Sequence, residues 1–103
     1  MTGHLDDIKK HVSEVDETAL ANMEKTYRLV LSKPDSRAVS FSDEEELKTV
    51  RESFLKKKLG LTIPDAELDA AIKEVGKAIA GHKQRLTVYY LLAQKFDKLD
   101  VFH

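Results

Sequence analysis

RLTVYYLLAQKF, residues 85–96, decides the fold. Val88, Tyr89 and Tyr90 favour a strand by intrinsic propensity. The apolar pattern nevertheless runs on through Leu91, Leu92, Phe96 and Leu99 at helical spacing, so the segment reads as a helix over residues 85–98. From Leu86 to Ala93 it is apolar on nearly every side. Such a helix is either the centrepiece of a fold or meets a partner on its second face. Tyr89 and Tyr90 stand about 100° apart on a helix, and burying both requires partners for two hydroxyls. Two readings follow. The tyrosines belong to a core helix with their tips at the surface, or Tyr89 and Tyr90 form an interaction face together with Phe102, which folds back onto the body.

The rest of the chain supplies amphipathic neighbours. Leu5, Ile8 and Val12 predict a short N-terminal helix. Asp16 suits the N-cap of a second, ETALANMEKTYRLVL, whose face is Leu20, Met23, Tyr27, Val30 and Leu31. Pro34 and its neighbours end it, and Val39 and Phe41 tuck one side of the connection inward. SDEE at residues 42–45 reads as a capping box between Ser42 and Glu45, opening a third helix with Leu47, Val50, Phe54 and Leu55 on its face. Gly60 sits at the C′ position of that helix, with Leu61 just beyond. A fourth begins near Pro64 and Asp65, carries Leu68, Ala71, Ile72, Val75, Ala78 and Ile79 inward, and ends at Gly81. Gly76 inside it suggests close approach of another helix. The expectation is an all-α single domain over residues 1–103: a small helical bundle of four longer helices plus a short N-terminal one, with the C-terminal helix central.

Composition narrows the function. Among 103 residues there is no cysteine, which removes disulfides, thiolate catalysis and cysteine zinc sites together. The N-terminus is acidic and amphipathic rather than a secretory leader. No apolar run approaches the roughly 18 residues of a membrane span. A soluble, cytoplasmic protein without membrane contact is expected. Net charge is −1, but residues 1–50 hold 7 basic and 11 acidic side chains (−4) and residues 51–103 hold 10 and 7 (+3). That asymmetry suits steering a partner, or two copies of the chain, into register.

The densest positive run, Lys56–Lys57–Lys58, precedes Gly60 and so lies at a helix end, where cations complement the dipole. Three consecutive side chains fan over about 200° and make no common binding face. The third and fourth helices outline a helix-turn-helix. The would-be reading helix sets Asp65, Glu67, Asp69 and Glu74 against Lys73 and Lys77, however, and repels phosphate, so no nucleic acid is expected. His4, Asp7 and His11 share a helical face and suit zinc chemically, but they sit on a terminal segment with no evident supporting partner, and no metal is assigned. No nucleophile elbow, phosphate loop or H-E-x-x-H is present, and no catalytic residue or cofactor is assigned. The leading reading is an interaction module that self-associates or docks on a protein partner. The alternative is an enzyme, or a binder of a small ligand or metal, with a pocket near Tyr89, Tyr90 and His82.

VRESFLKKKLGL, LDAAIKEV and TVYYLLAQKFDKLDVF together resemble an uncharacterised family of short bacterial proteins, domain of unknown function 2853. The likeness is strong over residues 45–102 and loose before them. It implies a bacterial source and a small helical fold, and it brings no assigned site residues. It also implies a glycine near position 97, where this chain has Asp97, so the turn between Phe96 and Leu99 is expected to differ.

Overall fold

A computed structural model describes residues 8–9, 11–12, 14–28, 39, 41–79 and 84–102. The described chain is all-α. Helix α1 spans Glu17–Thr26. Helix α2, Glu44–Thr49, passes directly into a π-helix over Val50–Lys58. Helix α3 is Asp65–Ala78, α4 is Arg85–Lys95, and a 3-10 turn, Leu99–Phe102, follows it. With α2 and the π segment read as one rod, these are the four longer helices of the sequence reading. Of the N-terminal helix, Ile8 and Lys9 are helical and Ile8 is fully buried; Leu5 lies outside the described residues, as do Val30, Leu31, Pro34 and Gly81.

Local chemistry sets the ends. The Asp16 carboxylate accepts the Ala19 amide at 3.0 Å and caps α1 as expected. The cap of α2 is Asp43 rather than Ser42: its carboxylate accepts the Glu45 amide at 3.0 Å. An aspartate caps as well as a serine and adds a full negative charge at the positive end of the helix dipole, which moves the start one residue on.

The π-helix corrects the expected α-helical third rod, and burial accounts for it. Val50, Phe54, Leu55 and Leu59 are all buried. At 100° per residue they would spread over about 180° of a cylinder. With i→i+5 bonds a turn takes about 4.4 residues, roughly 82° each, and the same four fall within about 80°. The wider winding gathers them onto one face. Its register persists into the cap, where the Leu59 amide donates to Phe54 O (2.9 Å) and the Leu61 amide to Leu55 O (3.1 Å). Gly60 supplies the left-handed turn there (φ 68°), as its position predicts.

Helix α4 packs against α1, the π segment, α3 and the terminal turn. Eight of its eleven residues are buried, so the chain itself covers both of its faces. On α3, Leu68, Ala71, Ile72, Val75 and Ile79 point inward, whereas Ala78 is exposed. Gly76 does admit a close neighbour, but that neighbour is the Phe41 ring from the connection before α2, not a helix. A Cβ at position 76 would overlap that ring.

Asp97 closes α4 in the left-handed region (φ 57°). Its amide donates to Gln94 O at 3.1 Å and that of Lys98 to Ala93 O at 2.7 Å, the paired bonds of a Schellman turn. The turn therefore takes a glycine-type conformation without a glycine.

Two outcomes follow for urea unfolding. Asp97→Gly relieves left-handed strain of about 1–2 kcal/mol at a smaller unfolded-chain cost, and should raise stability by about 0.5–1 kcal/mol; Asp97→Ala, which keeps the strain, should not. Gly76→Ala should destabilise the native protein but stabilise a Phe41→Ala background by about 0.5–1 kcal/mol, since only the ring opposes the better helix former.

Candidate functional site

The chemistry of the described chain gathers in two places, one inside and one on the surface. The interior one grows from α4. Tyr90 is fully buried, and its hydroxyl accepts the Asp16 amide at 2.7 Å, tying α4 to the start of α1. Tyr89 stacks on Phe54 with ring centres 4.1 Å apart and meets the edge of Tyr27 at 5.0 Å. The Tyr89 hydroxyl accepts from Arg85 Nη1 at 3.0 Å, and Arg85 Nη2 pairs with Glu46 of α2. Phe102 closes the group beside Phe54, under the Lys58 ammonium at 5.3 Å, with its carbonyl accepting from the Asn22 amide. No buried polar side-chain atom among the described residues lacks a partner.

The surface feature lies between α2 with its π extension and α3. Ion pairs lock one end of this groove. Arg51 Nη1 reaches both Asp69 oxygens at 3.0 Å, and its Nε reaches Glu52 at 2.8 Å. Lys56 bonds Asp65 at 2.6 Å and Glu52 at 3.0 Å. These contacts raise the Arg51 pKa, through Glu52 first and then Asp69, and raise that of Lys56, through Asp65 first and then Glu52. Beyond the lock the helices frame a cavity of about 310 Å³. Glu44, Glu45, Leu47, Lys48 and Arg51 line one side; Asp69, Ile72 and Lys73 line the other. Lys73 also borders a shallower apolar cleft with Phe41, Gly76, Lys77 and Ile79. Glu44, Glu45, Lys48, Lys73 and Lys77 make no ion pair among the described residues. Glu44 and Lys48 stand four residues apart on one helix, the favourable spacing, and still do not pair.

Tyr89, Tyr90 and Phe102, named from sequence as an interaction face, are 5%, 0% and 3% exposed; as packed here they are interior. Both tyrosines have the hydroxyl partners their burial requires. Val101 is the exposed large apolar side chain of the described residues. The lysine trio does not converge: Lys56 turns to Glu52 and Asp65, Lys58 to the Phe102 ring, and Lys57 is exposed. His4, Asp7 and His82 lie outside the described residues; His11 borders a third cleft, beside Glu74 and Lys95. Sequence reasoning missed the groove, whose walls come from residues up to 29 positions apart. Glu44 and Glu45 were legible only as first-turn acids, and Lys73 only as a minor charge on an acidic helix.

All three tyrosines of the chain carry raised pKa values, each chiefly through burial: Tyr27, where the neighbouring Tyr89 adds to it; Tyr89, against the pull of Arg85; and Tyr90, against the Asp16 amide. A raised native pKa contributes stability that is complete below the unfolded value near 10 and is lost as pH climbs above it. Phenolate absorbance near 295 nm, uncontaminated because the chain has no tryptophan, should therefore stay flat past pH 10 and then rise in one step with loss of helix. Stability should fall above pH 10 by up to about 4 kcal/mol per pH unit for three protons. A non-cooperative titration near pH 10 in the folded protein would contradict this burial.

No helix among the described residues is long and apolar enough to cross a membrane. No curated protein matches the sequence. A family model does match, over residues 3–100, nearly the whole chain, including the N-terminal part where the sequence resemblance is loose. With its all-α fold and its tyrosine helix in place, the chain belongs to the family described as protein of unknown function, DUF2853.

Proposed function

We propose that the chain is a small cytoplasmic module that binds another protein chain rather than a catalyst, and that the groove between α2 and α3 is its working surface. The observation that carries this reading is the set of charges of both signs, unpaired among the described residues, over the apolar floor of Leu47 and Ile72. Charge distributed this way selects and orients a partner, while Leu47, partly exposed at the floor above the buried Ile72, adds apolar area to cover. The side chains lining the cavity are carboxylates, ammonium groups, one guanidinium and two aliphatics, and the charged ones suit ionic contacts with a partner chain. The tyrosine helix supports the same reading indirectly: its surface is spent inside the fold, which leaves the charged face for recognition. The lack of cysteine is compatible with a reducing compartment.

A second reading has one observation in its favour. The groove volume falls at the lower end of the range for small-ligand pockets. Two experiments separate them. Crosslinking in lysate should give protein crosslinks at the groove that fall at least tenfold in Lys48→Glu/Lys73→Glu, a variant expected to keep the native melting temperature. A thermal-shift screen of metals and metabolites should leave the wild type unmoved. A metabolite that raises the melting point of the wild type but not of this variant, with no groove-dependent crosslink, would transfer the groove to small-ligand binding.

A further inference from the structure

We infer that the partner seated on this groove is a second copy of the chain, in a two-fold, salt-sensitive dimer. The inference rests on the groove being a protein-binding surface and adds which chain fills it.

Register across the groove carries the argument. Phe41 packs on Gly76 at one end, and Arg51 holds Asp69 at the other. The two sides therefore run antiparallel, and Glu44 and Glu45 stand level with Lys73 in the same cavity, with Lys77 one turn further along α3. At this height the α2 rim carries Glu44 and Glu45 and the facing rim Lys73, while Lys48 lies one turn beyond Glu44 on the α2 side. A two-fold axis along the groove keeps height and exchanges rims. It lays Glu44 and Glu45 of each copy against Lys73 of the other, twice over. A closed dimer requires a patch complementary to itself in this sense.

Within one copy these charges stay apart, although Glu44 and Lys48 have the spacing to pair. Across two copies each acid gains a cation. Leu47, partly exposed at the groove floor, is covered in the process. A standard interface covers about 800 Å² on each partner, a modest share of the 6215 Å² surface. Its rim is ionic, so affinity should fall steeply with salt.

Sedimentation equilibrium of the full chain tests this at 10–200 µM, concentrations of about the order at which weak polar interfaces form. In low salt the mass should rise toward twice 11.7 kDa, and in about 0.5 M salt it should return to the monomer. Glu44→Lys/Glu45→Lys and Lys73→Glu/Lys77→Glu should each be monomeric with native circular dichroism. Mixed in equal amounts, they should form a heterodimer, because the reversal restores both rims. A wild-type monomer throughout, or a dimer indifferent to both reversals, overturns the inference. If the wild type is monomeric yet crosslinks through the groove to another protein, the interaction reading stands and only the second copy falls. If neither occurs, both fall.

Discussion

A helix that is apolar on nearly every side can be buried only if each polar atom it carries finds a partner inside. An unsatisfied buried group costs about 1–3 kcal/mol, a large fraction of the stability of a chain this size. Helix α4 brings two phenols and a guanidinium into the interior, and the remaining architecture is arranged around them. Tyr90 takes its bond from the backbone at the α1 cap, so Asp16 serves both as a helix start and as an anchor for the central helix. Tyr89 takes its bond from Arg85, and Arg85 in turn requires a carboxylate, which Glu46 supplies from α2. Two tyrosines thereby fix α1 and α2 relative to α4. Aromatic contacts with Phe54 and Tyr27 fill the space between.

The π winding follows from the same constraint. Phe54 must lie parallel to the Tyr89 ring while Val50, Leu55 and Leu59 remain covered. An α-helix cannot point four residues at that spacing to one side, whereas a π-helix can. The looser backbone geometry is offset by burial of the whole apolar set, each large side chain contributing roughly 1.5–3 kcal/mol. The winding also turns Arg51 toward α3, where Asp69 and Asp65 wait for it. The core and the ionic lock of the groove are consequences of one choice of register.

Periodicity exposed most of this fold. Leu68, Ile72, Val75 and Ile79 at steps of four, three and four placed α3, and Asp16 and Gly60 marked a start and a stop through backbone chemistry alone. The π segment was hidden because its buried positions step four, one and four, a pattern an α-helix tolerates as a broad face. Ser42 and Asp43 are both good caps one residue apart, and the charge of Asp43 at the positive end of the helix dipole favours the second. Gly76 announced a close contact without identifying Phe41, because what approaches a glycine is set by tertiary packing. Position 97 shows the converse: the left-handed turn persists where a side chain opposes it, because two backbone bonds and the docking of Phe102 hold it.

The groove was least legible, for a physical reason. Its two walls are separate in sequence, and each reads alone as an ordinary solvated helix face. Opposition of charge becomes visible only once Arg51–Asp69 and Phe41–Gly76 fix the relative height of the two helices. The ion pairs are also unevenly distributed. Those between the π segment and α3 cluster at the Asp65–Asp69 end, where they hold the two rods together; at the Lys73 end the charges face outward. Pairing Glu44 with Lys48 on the chain's own surface would be worth only a few tenths of a kcal/mol. Leaving them open therefore costs the chain little. Glu44 and Glu45 come from the half of the sequence with a balance of −4, and Lys73 and Lys77 from the half with +3, so the facing of the two sides follows the sign of the two halves.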